Sequence, residues 1–272
     1  MNGNFFTKLQ SPLNTIGQAA TRRNASIGKL SSGIGLQSAK DDPAGFSIAI
    51  NMDAELKSLQ QASSNTSNAL SMLRTAEGGM SNSADTIIRM KELAVQAAND
   101  SLAPEQRDMI QQEIDTLASS LDDVAQTTEF NGRQLLDGSE GTLTFQVGTG
   151  SGPENQVTYT PPDISAAALG LDGASVATQA DAQALIDASD AALDTLNTQQ
   201  AEVGATMNQL DRAYSNVQET IVNTSDALSR LRDTDFARES TELAGSLVME
   251  KANIALLAQS NANTSHVLKL LG

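Results

Sequence analysis

The feature that most constrains this chain is a hydrophobic ladder in its second half. From Ile186, alternating steps of three and four residues reach Ser189, Leu193, Leu196, Gln200, Val203, Met207, Leu210, Tyr214, Val217, Ile221, Thr224, Leu228 and Leu231, and eleven of these fourteen positions are apolar. That spacing lines one face of an α-helix and is incompatible with a strand, whose side chains alternate with period two. Thr178, followed three residues later by Asp181, supplies the start signal and predicts a helix over about 179–230. At 1.5 Å per residue it would be about 78 Å long, too long for a compact globule.

A second ladder begins at Met52 and passes Leu56, Leu59, Ser63, Thr66, Leu70, Leu73, Glu77, Met80, Ala84, Ile87, Lys91 and Ala94, with nine of thirteen positions apolar. It predicts a helix over about 44–99. The pair Gly78-Gly79 weakens its middle, each glycine costing about 1 kcal/mol in a helix, without necessarily breaking it. Pro104 opens a third helix, about 104–127, with Ile110, Ile114, Leu117, Leu121 and Val124 on one face. Three such stripes can bury one another.

The ends carry one-sided ladders as well: Phe5, Leu9, Ile16, Ala19, Ile27 and Leu30 at one, and Phe236, Leu243, Leu247, Ile254, Leu257, Leu268 and Leu271 at the other. An amphipathic helix alone cannot bury its stripe, so these segments are expected to order only against partners. Pro12 is expected to end or kink the first of them. Between the third and fourth helices, Gly, Thr and Pro become frequent over about 130–177. Leu143, Phe145 and Val147 alternate with polar residues, and Val157 with Tyr159 suggests a partner strand across a Gly-rich turn. The fold expected is mainly α: a long antiparallel coiled-coil or bundle rod over 44–235 with a small β-hairpin element, flanked by terminal segments 1–43 and 236–272.

Composition removes most chemistry. The 272 residues contain no Cys and one His, His266, which excludes disulfide frameworks, thiolate metal sites and cysteine nucleophiles and leaves little for histidine acid/base work. The net charge of −16 argues against nucleic acid as a partner. It is unevenly spread: residues 1–40 hold five basic residues and no acid, whereas residues 101–206 hold seventeen acids against Arg107 and Arg133. The basic start lacks a dense Lys/Arg run and reads as a protein-packing surface. No stretch approaches the length of a membrane span, and the first residues lack the pattern of a cleaved secretory signal.

Gly148-Thr149-Gly150-Ser151-Gly152 invites a phosphate-cradle reading, but neither a helix start nor Lys-Ser/Thr follows it. Asp41-Asp42 and Asp122-Asp123 have no metal-loop spacing around them and read as caps or solvated faces. No catalytic, cofactor-binding or metal-ligating residue is assigned, and the chain is not read as an enzyme.

At Leu30-Ser31-Ser32-Gly33 and Ser38-Ala39-Lys40-Asp41-Asp42-Pro43-Ala44-Gly45 the chain closely resembles bacterial flagellin. Ala76-Glu77-Gly78, Arg89 to Gln96, Glu129-Phe130-Asn131-Gly132, Leu135-Leu136-Asp137-Gly138, Phe145-Gln146-Val147-Gly148, Ser229 to Ala237 and Leu256 to Asn261 follow in the family's order. The resemblance spans nearly the whole chain, in a short form with little or no outer variable domain. It implies paired terminal helices, self-assembly into the extracellular flagellar filament for motility, and export through the flagellar type III apparatus with a cytoplasmic chaperone. The implied partners are further copies, the flagellar cap and the hook-associated junction proteins. A recognition surface for the innate receptor Toll-like receptor 5 is implied at Arg89, Leu93 and Glu113. The alternatives are a hook-filament junction protein, which shares the terminal-helix plan, or a surface-displayed homologue acting as an adhesin. A protease of the His-Glu-x-x-His type is excluded by the single His.

Overall fold

The computed structural model describes residues 3–271, and the side chains of residues 13–263 and 265. Helix α1 spans Gly3–Ser32, α2 Pro43–Ala97, α3 Pro104–Thr127, α4 Gln179–Arg232 and α5 Phe236–Leu271. Between α3 and α4 lie β1 (Glu129–Phe130), β2 (Arg133–Gln134), β3 (Leu143–Gln146) and β4 (Gln156–Tyr159). The chain is 73% helical. It divides into two compact units, residues 1–56 with 223–272, and residues 57–222. The division falls inside α2 and α4, whereas the sequence marks only the helix-to-loop transitions near 43 and 235.

Helix starts follow local chemistry. Pro43 occupies the first turn of α2, where its missing N–H costs nothing, and the Asp42 carboxylate accepts the Ala44 amide at 3.0 Å. At α4, Thr178 Oγ1 accepts the Asp181 amide at 3.2 Å, and Asp181 returns by accepting the Thr178 amide at 3.1 Å.

In the unit of residues 57–222 the helices are antiparallel. Ser63 accepts a hydrogen bond from Gln218 at 2.8 Å and Lys91 pairs with Asp190, so α2 rises as α4 descends. Arg89 meets Glu113, while the Arg107 guanidinium donates to the Ala97 carbonyl at 3.1 Å, which sets α3 against α2 the same way. Along the face that α2 buries runs an alternation of threes and fours, Leu59, Ala62, Thr66, Ala69, Leu73, Ala76, Met80, Ser83, Ile87, Met90, Ala94 and Ala97, with Ser63, Leu70, Met72, Gly79 and Leu93 buried beside it. This is the 3.5-residue repeat of a left-handed coiled coil. The sequence ladder shares every second member of it and otherwise runs one residue to the side. Glu77 and Lys91, its charged rungs, lie off the seam for that reason. The seam's alternate members are mostly Ala or Ser, which a hydropathy reading underweights but which let helices approach closely. Each fully buried large side chain, such as Leu73, Ile114 or Leu210, contributes about 1.5–3 kcal/mol.

The expected hairpin is present. Strands β3 and β4 are antiparallel, with Leu143 opposite Tyr159 and Gln146 opposite Gln156. A second, smaller hairpin pairs Glu129 with Gln134 and Phe130 with Arg133. Its two-residue loop is Asn131 at φ +54° and Gly132 at φ +77°, left-handed values at both positions that define a type I′ turn. The turn leads into Leu135 and Leu136, both fully buried. The loop to α4 is held by Gln111, which donates to the Ala174 carbonyl at 2.8 Å and accepts the Val176 amide at 2.7 Å.

Helix α2 is uninterrupted at Gly78-Gly79. Gly79 packs against the α3–β1 corner so closely that a Cβ there would lie 2.5 Å from Leu136 Cδ1 and 2.7 Å from Thr128 Oγ1, while nothing approaches Gly78.

In the other unit α1 and α5 pair. Of the two expected effects of Pro12, ending or kinking the helix, the first is not found: the backbone of α1 is helical from Gly3 to Ser32. A proline inside a helix removes one backbone donor and crowds the carbonyl four residues back, and here the helix continues past it. Gly33, at φ +72°, follows the last helical residue, and the Gly35 and Leu36 amides donate to the Arg232 carbonyl at 2.7 and 3.1 Å.

Candidate assembly and recognition surfaces

The terminal helices are each other's partner, so neither is left without a wall. Arg23 Nη1 reaches both oxygens of Glu250, at 2.9 and 2.7 Å, and Lys29 Nζ lies 3.7 Å from Glu239. These contacts make α1 and α5 antiparallel. Ala19, Ser26 and Ser246 are buried between them, small enough for the backbones to come together. The seam of α5 is Glu239, Leu243, Ser246, Glu250, Asn253 and Leu257. It mixes charge, small residues and leucine, so the apolar ladder meets it only at Leu243 and Leu257.

The apolar stripes read from the ends are accordingly split. Ile16, Leu30, Leu243 and Leu257 are partly buried, whereas Ile27, Phe236, Leu247 and Ile254 are exposed. Phe5, Leu9, Leu268 and Leu271 lie outside the described side chains, as does His266. Leu13, Val248, Met249 and Leu256, which lie off the apolar ladders, are exposed as well. Several large apolar side chains therefore face outward from α5 after α1 has taken its share.

On α2 and α3 a mixed surface surrounds Arg89. Its Nε and Nη2 donate to Glu113 at 3.1 and 2.8 Å, and Nη1 donates to Glu92 at 3.0 Å. The hydrogen bond to Glu113 raises the Arg89 pKa, so the guanidinium is a fixed positive charge at every accessible pH. Ile88, Val95 and Met109 are exposed on the same two helices. Leu93 corrects the expectation of a surface residue: at 2% exposure it belongs to the core. It stands three residues from Met90 and four from Ala97, both on the buried seam, and that spacing is the signal that would have placed it. Arg89 and Glu113 remain as the exposed pair.

The other candidates resolve into structural roles. Asp41 accepts the Ser38 amide and hydroxyl at 3.0 and 3.1 Å, and the hydroxyl bond lowers its pKa. Asp122 accepts the Ala166 amide at 2.9 Å. Among the described residues, no group of three or more His, Cys, Asp or Glu is placed to hold a metal ion. The Gly148–Gly152 turn uses its own polar groups: Gln146 Nε2 donates to the Gly148 and Gly150 carbonyls at 2.9 and 2.6 Å, and the Val147 and Gly148 amides both donate to the Asn155 carbonyl. A phosphate would find those two amides already occupied. Tyr159 is 5% exposed, and burial pushes its hydroxyl up to about 12, so it is a neutral core group and no platform for a sugar. Among the described residues, no helix is long and apolar enough to cross a membrane.

Paired terminal helices, heptad-packed helices and outward-facing apolar residues define a structural, assembling class of protein. Comparison with known proteins agrees. Residues 7–141 match the bacterial flagellin N-terminal helical region, and residues 186–271 match the C-terminal helical region. A flagellin of Halalkalibacterium halodurans is 34% identical over 243 residues, covering 89% of each chain. A flagellin of Bacillus subtilis is 31% identical over 95% of this chain and 97% of its own. The crystal structure of Bacillus cereus flagellin superposes with a TM-score of 0.51 at 27% identity, covering 61% of this chain and 94% of that one. The fold is shared also with a Vibrio parahaemolyticus chain described as a flagellar hook-associated protein, TM-score 0.59 at 17% identity, over 71% of this chain and all of that one. The chain belongs to the bacterial flagellin family and is a structural subunit of the flagellar filament.

Proposed function

We propose that this chain polymerises with copies of itself through its terminal helices, forming a motility filament outside the cell after export in an unfolded state by the flagellar type III apparatus. The observation that carries this reading is the apolar surface left on α5 after pairing: Phe236, Leu247, Val248, Ile254 and Leu256 face solvent along one helix. Neighbouring copies supply the walls that bury them, at about 1.5–3 kcal/mol for each side chain fully removed from water. An export chaperone covers the same C-terminal stripe before assembly, and the flagellar cap and hook-associated proteins meet the polymer's two ends through the same terminal helices. Both family regions of flagellin are matched, which favours the filament subunit over the junction protein and the adhesin. Ile254→Asp tests the stripe. Seeded elongation followed by light scattering should show a critical concentration raised about tenfold or more, since a charge replaces a buried apolar group. An unchanged value removes α5 from the interface.

We also propose that the free monomer is recognised by Toll-like receptor 5 through Arg89 and Glu113, with Leu93 supporting that surface from beneath. The arrangement that supports this is an exposed ion pair with the exposed Met109 one helical turn from Glu113 on α3. Charge reversal at Arg89 places three carboxylates together, so Arg89→Glu should lower receptor signalling about tenfold while leaving the melting temperature nearly unchanged. Undiminished signalling by the folded variant refutes it.

A further inference from the structure

The chain has two Asn-Gly pairs, Asn2-Gly3 and Asn131-Gly132, and the second forms the β1–β2 turn. Asn-Gly is the dipeptide most open to self-modification, because glycine leaves its amide nitrogen unshielded. Loss of the Gly132 N–H proton to base lets that nitrogen attack Asn131 Cγ. An N–Cγ bond forms, the Cγ–Nδ2 bond breaks, and the side-chain nitrogen leaves as ammonia after taking up a proton. Water then opens the resulting five-membered imide at either carbonyl, giving aspartate or isoaspartate. The balance is asparagine plus water to acid plus ammonia, with no redox partner.

Ring closure requires Cβ of Asn131 and N of Gly132 to lie on the same side of the Cα–C bond, with a Cβ–Cα–C–N torsion near zero. For an L residue that torsion is ψ plus 120°. The type I′ turn fixed by φ +54° and +77° holds ψ of Asn131 near about +30°, so the torsion is about 150° and the nitrogen is turned away from Cγ. Both residues are exposed, so water and base have access, and geometry alone withholds the reaction. The turn is itself held from both sides. Leu135 and Leu136 are fully buried, and the Leu135 amide donates to the Thr128 carbonyl at 3.0 Å.

From this we infer that Asn131 is a latent deamidation site, silenced by the folded β1–β2 turn and released when the chain unfolds. Its products differ in consequence. Aspartate at 131 fits the turn, since Asp-Gly is a natural type I′ pair. Isoaspartate adds a backbone carbon to a two-residue loop and misaligns the Phe130–Arg133 pairing, so a chain modified while unfolded refolds this corner poorly.

The full chain, the full chain in guanidinium chloride and a synthetic peptide of residues 126–137 are incubated side by side in mildly alkaline buffer. Deamidation at Asn131 is then read by peptide mass mapping, and isoaspartate by isoaspartyl methylation. The folded chain should react at Asn131 at least about tenfold more slowly than the peptide, and denaturant should bring it to the peptide's rate. Equal rates in the folded chain and the peptide overturn the inference, as does an unfolded chain that stays as slow as the folded one. Leu136→Ala, which loosens the anchor, should raise the native rate; if that variant does not fold, its rate should equal the peptide's.

Discussion

Removing residues 236–272 will abolish seeded filament growth while leaving the unit of residues 57–222 folded. The two outcomes separate because the cores are separate. Leu73, Met80, Ile87, Ile114, Leu196 and Leu210 all lie within 57–222, and none needs α5 for its burial. The terminal unit instead loses Glu250 and Glu239 from Arg23 and Lys29, the seam that covers Ala19 and Ser26, and every exposed apolar residue of α5. Circular dichroism should show a cooperative melt close to that of the full chain, with helical signal reduced by α5 and by α1, which is then marginal in water by itself. Electron microscopy should show no filaments at any accessible concentration.

Adjacent glycines will respond to alanine with opposite signs. Gly78 is exposed and has open space where a Cβ would go, so Gly78→Ala exchanges a poor helix former for the best one and should stabilise by about 1 kcal/mol. Gly79 gains the same propensity, yet its Cβ would lie 2.5 Å from a methyl of Leu136 and 2.7 Å from the Thr128 hydroxyl. Leu136 is fully buried and Thr128 is β-branched and engaged with the Val124 carbonyl, so neither yields freely. Gly79→Ala should be net destabilising by about 1–2 kcal/mol, and Gly79→Val by about 3 kcal/mol or more, because overpacking then adds to a β-branched side chain in a helix. Thermal unfolding of the three variants decides the matter. A Gly79→Ala protein as stable as Gly78→Ala would mean that the corner is loosely packed.

The long helices were legible because burial in a coiled coil forces a period. The rungs Leu59, Thr66, Leu73, Met80, Ile87 and Ala94 mark α2's seam although one is polar, since position and not residue type puts Thr66 inside. The intervening rungs are displaced by one residue because the ladder steps by four and then three between shared positions, whereas burial steps by three and then four, through the small residues Ala62, Ala69, Ala76 and Ser83. Hydropathy likewise finds only Leu243 and Leu257 of the α5 seam, where Glu239 and Glu250 are drawn inward by Lys29 and Arg23 on the other helix. Pairing across 227 residues of sequence leaves no local trace. Capping at Thr178 and Asp181 was visible because both partners lie within one turn. The β1–β2 hairpin is not read from the sequence, where Asn131-Gly132 stands only within a Gly-rich stretch, because its strands are two residues each and give no alternation. Arg89 and Glu113 pair across α2 and α3, while Leu93 is interior because it lies beside the α2 seam, next to Ala94 and one turn from Met90 and Ala97, which a single ladder does not resolve.

The most direct test of the central claim is negative-stain electron microscopy of the purified chain with short filament seeds, beside the chain lacking residues 236–272. Long uniform filaments from the full chain and none from the truncation are the predicted result. Filaments from the truncated chain, or persistent monomers of the full chain on intact seeds, would contradict assembly through the terminal helices.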